Sequence, residues 1–300
     1  MSADLSANAE RFSGFADLYD QVRPTPPDAA ADMLRAYAGV ARPVVVDLGA
    51  GTGLSTRWCA RWAGRTIGVE PSDDMRAVAM AASPHGIEWV NGWSHATGLP
   101  DATADLVVIV QALHWMEPVS TFTEVARVLR PGGVFAALDC DWPPSIGNCV
   151  AEAAWDRCRG LAKAYEARLA AGESGDALTA PLEAADEQLD LPVHFGRDPN
   201  KHRQMAVGVQ AWSKDEHLGR MMASGLFRSC REVALHQAED GGAERFIDLL
   251  RTQGDVQTLI KHGVSEDRLG VTEFAADVRD AVGTDPRSMW FTYRMRIGIT

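Results

Sequence analysis

Three hundred residues with 46% apolar content suffice for one sizeable buried core, and the composition is that of an ordinary globular protein. The formal net charge of −12 argues against nucleic acid or an anionic membrane as partner, because both select for basic faces. The cysteines Cys59, Cys140, Cys149, Cys158 and Cys230 are odd in number and form no Cys-x-x-Cys pair, which argues against a disulfide framework or a zinc site, so no metal is expected.

Residues 1–10 lack the apolar centre of a signal peptide, and no stretch approaches the roughly 20 apolar residues of a membrane span, so a cytoplasmic location is expected. Phe12–Tyr19 reads as a short helix, broken by Arg23-Pro24-Thr25-Pro26-Pro27, since proline lacks the N–H a helix needs. A helix follows over Asp28–Ala38, with Asp28 as candidate cap. Strands are then predicted at Val44–Leu48, Thr66–Glu70, Ile87–Val90, Asp105–Gln111 and Val134–Leu138. Helices at Leu54–Ala63, Asp73–Ala82 and Val119–Leu129 alternate with them. Such alternation implies a parallel sheet covered on both faces. After Trp142-Pro143-Pro144 the pattern changes to a long helix, Cys149–Ala171, and a loose stretch over 172–210. Lys214–Ser224 reads as a helix, Glu232–His236 as a sixth strand, Glu244–Ile260 and Ser265–Val282 as helices, and Trp290–Ile299 as a last strand. The fold class is therefore α/β, a doubly wound and mostly parallel seven-stranded sheet with helical additions.

The segment Asp47-Leu48-Gly49-Ala50-Gly51-Thr52-Gly53 closes the first predicted strand. Glycines there let the backbone turn sharply and come close to a ligand. A dinucleotide site would show Gly-x-Gly-x-x-Gly, whereas this chain has Gly-x-Gly-x-Gly with Asp47 ahead of it. A carboxylate at that point suits a cationic ligand better than a pyrophosphate. Glu70, at the end of the second strand, is placed to accept hydrogen bonds from ribose hydroxyls.

These residues resemble the class I S-adenosylmethionine-dependent methyltransferases of the broad type 11 group, and the resemblance covers residues 12 to 138. Asp47–Gly53, Gly68-Val69-Glu70-Pro71-Ser72-x-x-Met75, Gly98-Leu99-Pro100-Asp101 with Asp105, and Leu129-Arg130-Pro131-Gly132-Gly133 match family motifs in order. Gln111-Ala112-Leu113-His114-Trp115, Tyr19-Asp20-x-x-Arg23-Pro24 and Trp290–Arg294 resemble the trans-aconitate methyltransferase-like branch, and the likeness is weakest over 142–210. The resemblance implies a Rossmann-like methyltransferase fold and S-adenosylmethionine as cofactor, with S-adenosylhomocysteine as product. It implies that Asp47, Gly49, Ala50 and Gly51 lie along the methionine part, Glu70 on the ribose, and Pro71, Ser72 and Met75 near the adenine or ribose. Tyr19, Arg23 and Gln111 complete the cofactor set. Where relatives often have Gly-Asp-Ala-Glu after the third strand, this chain reads Gly92-Trp93-Ser94-His95. The Ser94 hydroxyl or backbone groups are then the candidates to replace the usual aspartate, and Trp93 is a candidate to cover the base. One domain over 1–300 is expected: a cofactor-binding half at 40–141, a variable helical cap or lid at 142–212, and a C-terminal part of the sheet at 213–300 with a helical insertion at 243–283.

Ligands of open α/β sheets collect at the carboxyl ends of the strands. Those ends carry Trp93, His114-Trp115 and Trp142. Trp115 and Trp142 are candidate acceptor contacts, by apolar packing or cation–π contact with a sulfonium, or else core fillers. His114 is the candidate general base, or a histidine that only bonds nearby backbone. Arg23, His202 and Arg203 are candidates for pairing with an acidic acceptor, or ordinary surface charges. The function expected is methyl transfer to a small-molecule acceptor, with a carboxylate ahead of other oxygen, nitrogen or carbon acceptors. The alternative is a cofactor-binding regulatory or partner protein without turnover. An RNA or protein methyltransferase is a third reading, disfavoured by the acidic charge. A monomer or homodimer is expected, with no membrane and no nucleic-acid partner.

Overall fold

A computed structural model describes residues 16–182 and 210–300; the expectations for Phe12–Phe15, for 183–209 and for His202 and Arg203 lie outside the described residues. Two helices, α1 (Ala16–Val22) and α2 (Asp28–Ala38), lead into the sheet. Pro27 takes the N-cap position of α2, one residue before the expected Asp28. The alternating half follows as β1 (Val44–Leu48), α3 (Leu54–Ala60), β2 (Arg65–Val69), α4 (Asp73–Ala82), β3 (Ile87–Val90), β4 (Ala104–Val110), α5 (Pro118–Val128) and β5 (Leu129–Cys140). Val46, Val69, Val107 and Ile109 are buried beneath Phe122 and Val125 of α5 on one face. Val45, Leu106 and Val108 are buried beneath Leu34 of α2 and Trp58 of α3 on the other. Burial on both faces is why these strands read as unbroken apolar runs.

The second half supplies α6 (Cys149–Ala170), α7 (Gly175–Thr179), α8 (His217–Ala223), β6 (Ser229–Gly241), α9 (Ala243–Arg251), α10 (Gly254–Lys261), α11 (Val271–Val282) and β7 (Arg287–Ile299). The sheet order is β3-β2-β1-β4-β5-β7-β6. β1 to β5 pair in parallel, while β7 runs antiparallel to both β5 and β6, so the sheet is mixed. Asn148 caps α6 by accepting from the N–H groups of Val150 and Ala151. Trp155 of α6 meets Phe246 of α9 and Phe274 of α11 at ring-centroid distances of 5.1 and 6.1 Å. This helical core is continuous with Met289, Phe291 and Tyr293 of β7.

Several boundaries differ from expectation, each for a physical reason. The sixth strand spans thirteen residues rather than five. It is a sheet edge with alternating half-exposed positions, so only its centre carries an apolar signal. The helix expected over Glu244–Ile260 is two, because Thr252 and Gln253 leave the helical path between them. The Thr252 hydroxyl and carbonyl both accept from Arg23, a contact 229 residues away in sequence. The helix expected from Ser265 starts at Val271, after Gly270 in a left-handed conformation. Lys214–Glu216 forms a tight 3-10 turn ahead of α8. No helix among the described residues is long and apolar enough to cross a membrane.

Candidate functional site

A cleft opens at the carboxyl ends of β1, β2 and β4, where an open α/β sheet gathers ligands. Its floor is the turn after β1. The N–H groups of Gly49 and Ala50 donate to the Val69 carbonyl at 2.9 and 3.1 Å, which ties the turn to β2. Gly49 has φ +75°, and a Cβ there would lie 2.5 Å from the Met116 methyl and 3.0 Å from the Ala112 Cβ. Gly51 has φ +54°, and a Cβ there would meet nothing within 4 Å. Gly49 is therefore needed for conformation and for packing, whereas Gly51 presents bare backbone to open space.

Glu70 closes one side of the cleft. Its Oε2 accepts from the Gly51 N–H at 2.9 Å and its Oε1 from the Ser72 N–H at 3.0 Å. Burial pushes the Glu70 pKa up, against the pull of these two backbone donors. Both oxygens keep further lone pairs for a ligand. Pro71, Met75, Trp93 and Ser94 line the same side. The Ser94 hydroxyl accepts from Thr121 at 3.0 Å. At the other side Tyr19, Arg23, Gln111, Trp115 and Trp142 line the cleft. The Arg23 guanidinium lies 4.7 Å from the Tyr19 ring centroid and 4.5 Å from that of Trp142. Its Nε and Nη2 donate to the hydroxyl and carbonyl of Thr252 at 3.0 and 2.7 Å. Burial pulls the Arg23 pKa down.

Two expected site residues sit elsewhere. Asp47 is fully buried and is not part of the cleft wall. It accepts from the hydroxyls of Ser55 and Thr56 at 2.7 and 2.5 Å, and so braces the start of α3 under the glycine turn. Burial pushes its pKa up to about 6, against those two hydroxyls. The glycine turn carries the chain over Asp47, so proximity in sequence did not become contact. His114 is also outside the wall. Its ring faces Trp115 at 4.5 Å, and its Nδ1 lies 3.6 Å from Asp139 Oδ1. The 3-10 turn Leu113–Trp115 turns Trp115 toward the cleft and His114 toward β5.

Sequence reasoning missed part of the wall, including Thr52, Ser55, Ala112 and Met116. It also missed a polar cluster behind the cleft. Asp139, at the end of β5, pairs with Arg296 of β7 at 2.8 Å and with Lys214 at 3.4 Å, and lies 3.8 Å from His217. Burial opposes ionisation of Asp139, but Lys214, His114 and His217 outweigh it and hold its pKa well below the usual range. An acid at the carboxyl end of a predicted strand was the available signal. Lys214, His217 and Arg296 lie 75 or more residues away and had none. One ligand atom each from His114, Asp139 and His217 lies within 4.8 Å of the others, the spacing of a metal site. Arg296 and Lys214 already supply two positive charges to that carboxylate, which makes a further cation unfavourable.

The wall has the chemistry that S-adenosylmethionine requires. A buried carboxylate with spare lone pairs suits a ribose diol. Pro71, Met75 and Trp93 suit a purine face, and the bare Gly51 backbone admits a close approach.

Comparison with known proteins agrees. Residues 46–137 match the family model described as a methyltransferase domain. An uncharacterised methyltransferase of Mycobacterium tuberculosis is 41% identical over 123 residues, which are 41% of this chain and 49% of that protein. The chain thus spans about half the length of the first curated relatives it matches. The dimethylglycine N-methyltransferase of Parasynechococcus marenigrum is 27% identical over 81% of this chain and 89% of its own. A solved structure from Anaeromyxobacter dehalogenans, described as a type II methyltransferase, superposes with a TM-score of 0.60 at 23% identity, covering 92% of this chain and 97% of that one. The sheet is therefore that of the Rossmann-like methyltransferase fold, and the match to the methyltransferase-domain model lies in its alternating half.

Proposed function

We propose that this protein is an S-adenosylmethionine-dependent methyltransferase that methylates a small acid on its carboxylate oxygen, and that it stands near the trans-aconitate methyltransferase-like branch. When bound, the cofactor supplies a methyl group on a sulfonium, already electrophilic. The chain's task is then to align the acceptor and exclude water. Glu70 holds the ribose hydroxyls, and Trp93, Pro71 and Met75 flank the base. Trp115 and Trp142 screen the reacting end from water, and the helical second half closes over it as a cap.

The observation that carries the acceptor class is the makeup of the cleft wall. Glu70 is the one carboxylate among the described lining residues, no histidine is among them, and the part-buried cation Arg23 forms no ion pair with a carboxylate among the described residues. A hydroxyl acceptor, or an amine that arrives protonated, has a proton to give to a base, whereas a carboxylate arrives as a competent nucleophile. Arginine matches carboxylate geometry.

The test is to incubate the protein with methyl-labelled S-adenosylmethionine and an extract of small organic acids, then treat labelled product with mild base. Release of the label as methanol is the expected result and marks a methyl ester. Base-stable label would replace the carboxylate with a nitrogen, carbon or ether-oxygen acceptor. Cofactor binding with no label in any extract would support the non-catalytic binder.

A further inference from the structure

Gln111 has φ +56°, a left-handed conformation that costs a non-glycine residue about 1 kcal/mol or more. It sits directly after β4, its N–H donates to the Leu138 carbonyl at 2.8 Å, and the residue is part of the cleft wall. Its Oε1 accepts from the Lys214 ammonium at 3.0 Å. Lysine can only donate, so this contact fixes which end of the amide is the oxygen. Among the described residues nothing bonds the amide nitrogen. Lys214 is itself held by Asp139 at 3.4 Å, and Asp139 is anchored by Arg296, which also donates to Glu232 at 2.7 Å. The same incoming segment is pinned by the Trp212 N–H, which donates to the His114 carbonyl at 2.9 Å. A strained backbone is thus braced from three strands to present one amide.

We infer that Lys214 and Asp139 are positioning residues that hold the Gln111 side chain with its oxygen turned away and its NH2 presented to the cleft, where it donates to a carboxylate oxygen of the bound ligand. That oxygen belongs either to the amino-acid end of the cofactor or to the acceptor, so the inference rests on the methyltransferase reading of the cleft.

Gln111→Glu separates the roles, because it strengthens the contact to Lys214 while deleting both donors. The readouts are the Kd for S-adenosylhomocysteine by calorimetry, KM and kcat for the acceptor, and thermal stability. Gln111→Glu is expected to raise one of the two constants about tenfold or more, as for loss of a hydrogen bond to a charged group, with Tm unchanged or higher. A rise in Kd places the carboxylate on the cofactor; a rise in KM alone places it on the acceptor. Lys214→Met should raise the same constant severalfold, Lys214→Arg should restore most of it, and Lys214→Met combined with Gln111→Glu should be no worse than Gln111→Glu alone. Both constants within twofold of wild type in Gln111→Glu would overturn the inference. So would a Lys214→Met protein that loses stability with neither constant changed. Wild-type protein that binds neither cofactor nor product would sink the methyltransferase reading by itself. In that case the Gln111 side-chain amide signal in NMR still judges the bracing, which fails if Lys214→Met leaves that signal in place.

Discussion

Glu70 and Asp47 are two buried acids 23 residues apart in the chain, and their surroundings give them different work. Glu70 faces the cleft and is oriented by two backbone N–H groups. Glu70→Ala is expected to weaken cofactor binding by about 10- to 100-fold, from an estimated 1.5–3 kcal/mol for hydrogen bonds to a charged group. Calorimetric titration with S-adenosylhomocysteine checks this, and an unchanged Kd would remove Glu70 from the ribose. Asp47 is sealed under the turn with its pKa pushed up to about 6 from 3.8. The folded state therefore holds that proton more tightly than the unfolded state. The stabilisation is complete below about pH 4 and lost as pH rises through 6, on the order of 3 kcal/mol in all. Asp47→Asn does not titrate, so its stability relative to wild type should climb between pH 4.5 and pH 7.5. Urea midpoints at those two pH values measure it, and a pH-independent difference would mean that Asp47 keeps an ordinary pKa.

The turn between β1 and α3 makes opposite demands on its first two glycines. Gly49→Ala meets both a positive φ and the Met116 and Ala112 side chains, whereas Gly51→Ala meets positive φ and open space. Gly51→Ala should therefore cost about 1 kcal/mol of stability for its conformation alone, and Gly49→Ala more. Gly51→Ala should lose the larger share of cofactor affinity, since Gly51 lines the cleft and its added methyl would take up open space there. Thermal melts and calorimetry on the two variants test the contrast, and identical profiles would contradict it. In the helical layer, Trp155 is buried between Phe246 and Phe274. Trp155→Ala should cost about 3–5 kcal/mol, read as a lowered urea midpoint.

Over the whole molecule, the charge of −12 repels polyanions. A gel shift with bulk RNA at low salt is expected to show no retained complex, and a tight, salt-sensitive one would reopen an RNA acceptor. The strand order brings β7 between β5 and β6, which sets Arg296 beside Asp139 across 157 residues of chain. The same topology delivers Lys214 and His217 to the back of the cleft from the segment that precedes β6. The cleft thus draws most of its wall from the alternating half, and Asp139 behind it draws Lys214, His217 and Arg296 from the second half.

The alternating strands, the glycine turn, the place of Glu70 at a strand end and most of the cleft wall were legible in the chain before folding was considered. Those features are written locally: apolar runs of strand length, glycines where a Cβ would clash or block, an acid at a strand end. The sequence placed Trp93, Trp115 and Trp142 in the cleft for the same reason, since strand ends point there. Tertiary structure alone decided that Asp47 is a buried brace and that His114 turns toward Asp139, because side-chain direction at a turn depends on what packs against it. It also decided the break at Thr252, the edge-strand length of β6 and the Asp139–Lys214–Gln111 chain. Each of these depends on a partner distant in sequence, and no local pattern encodes such a partner.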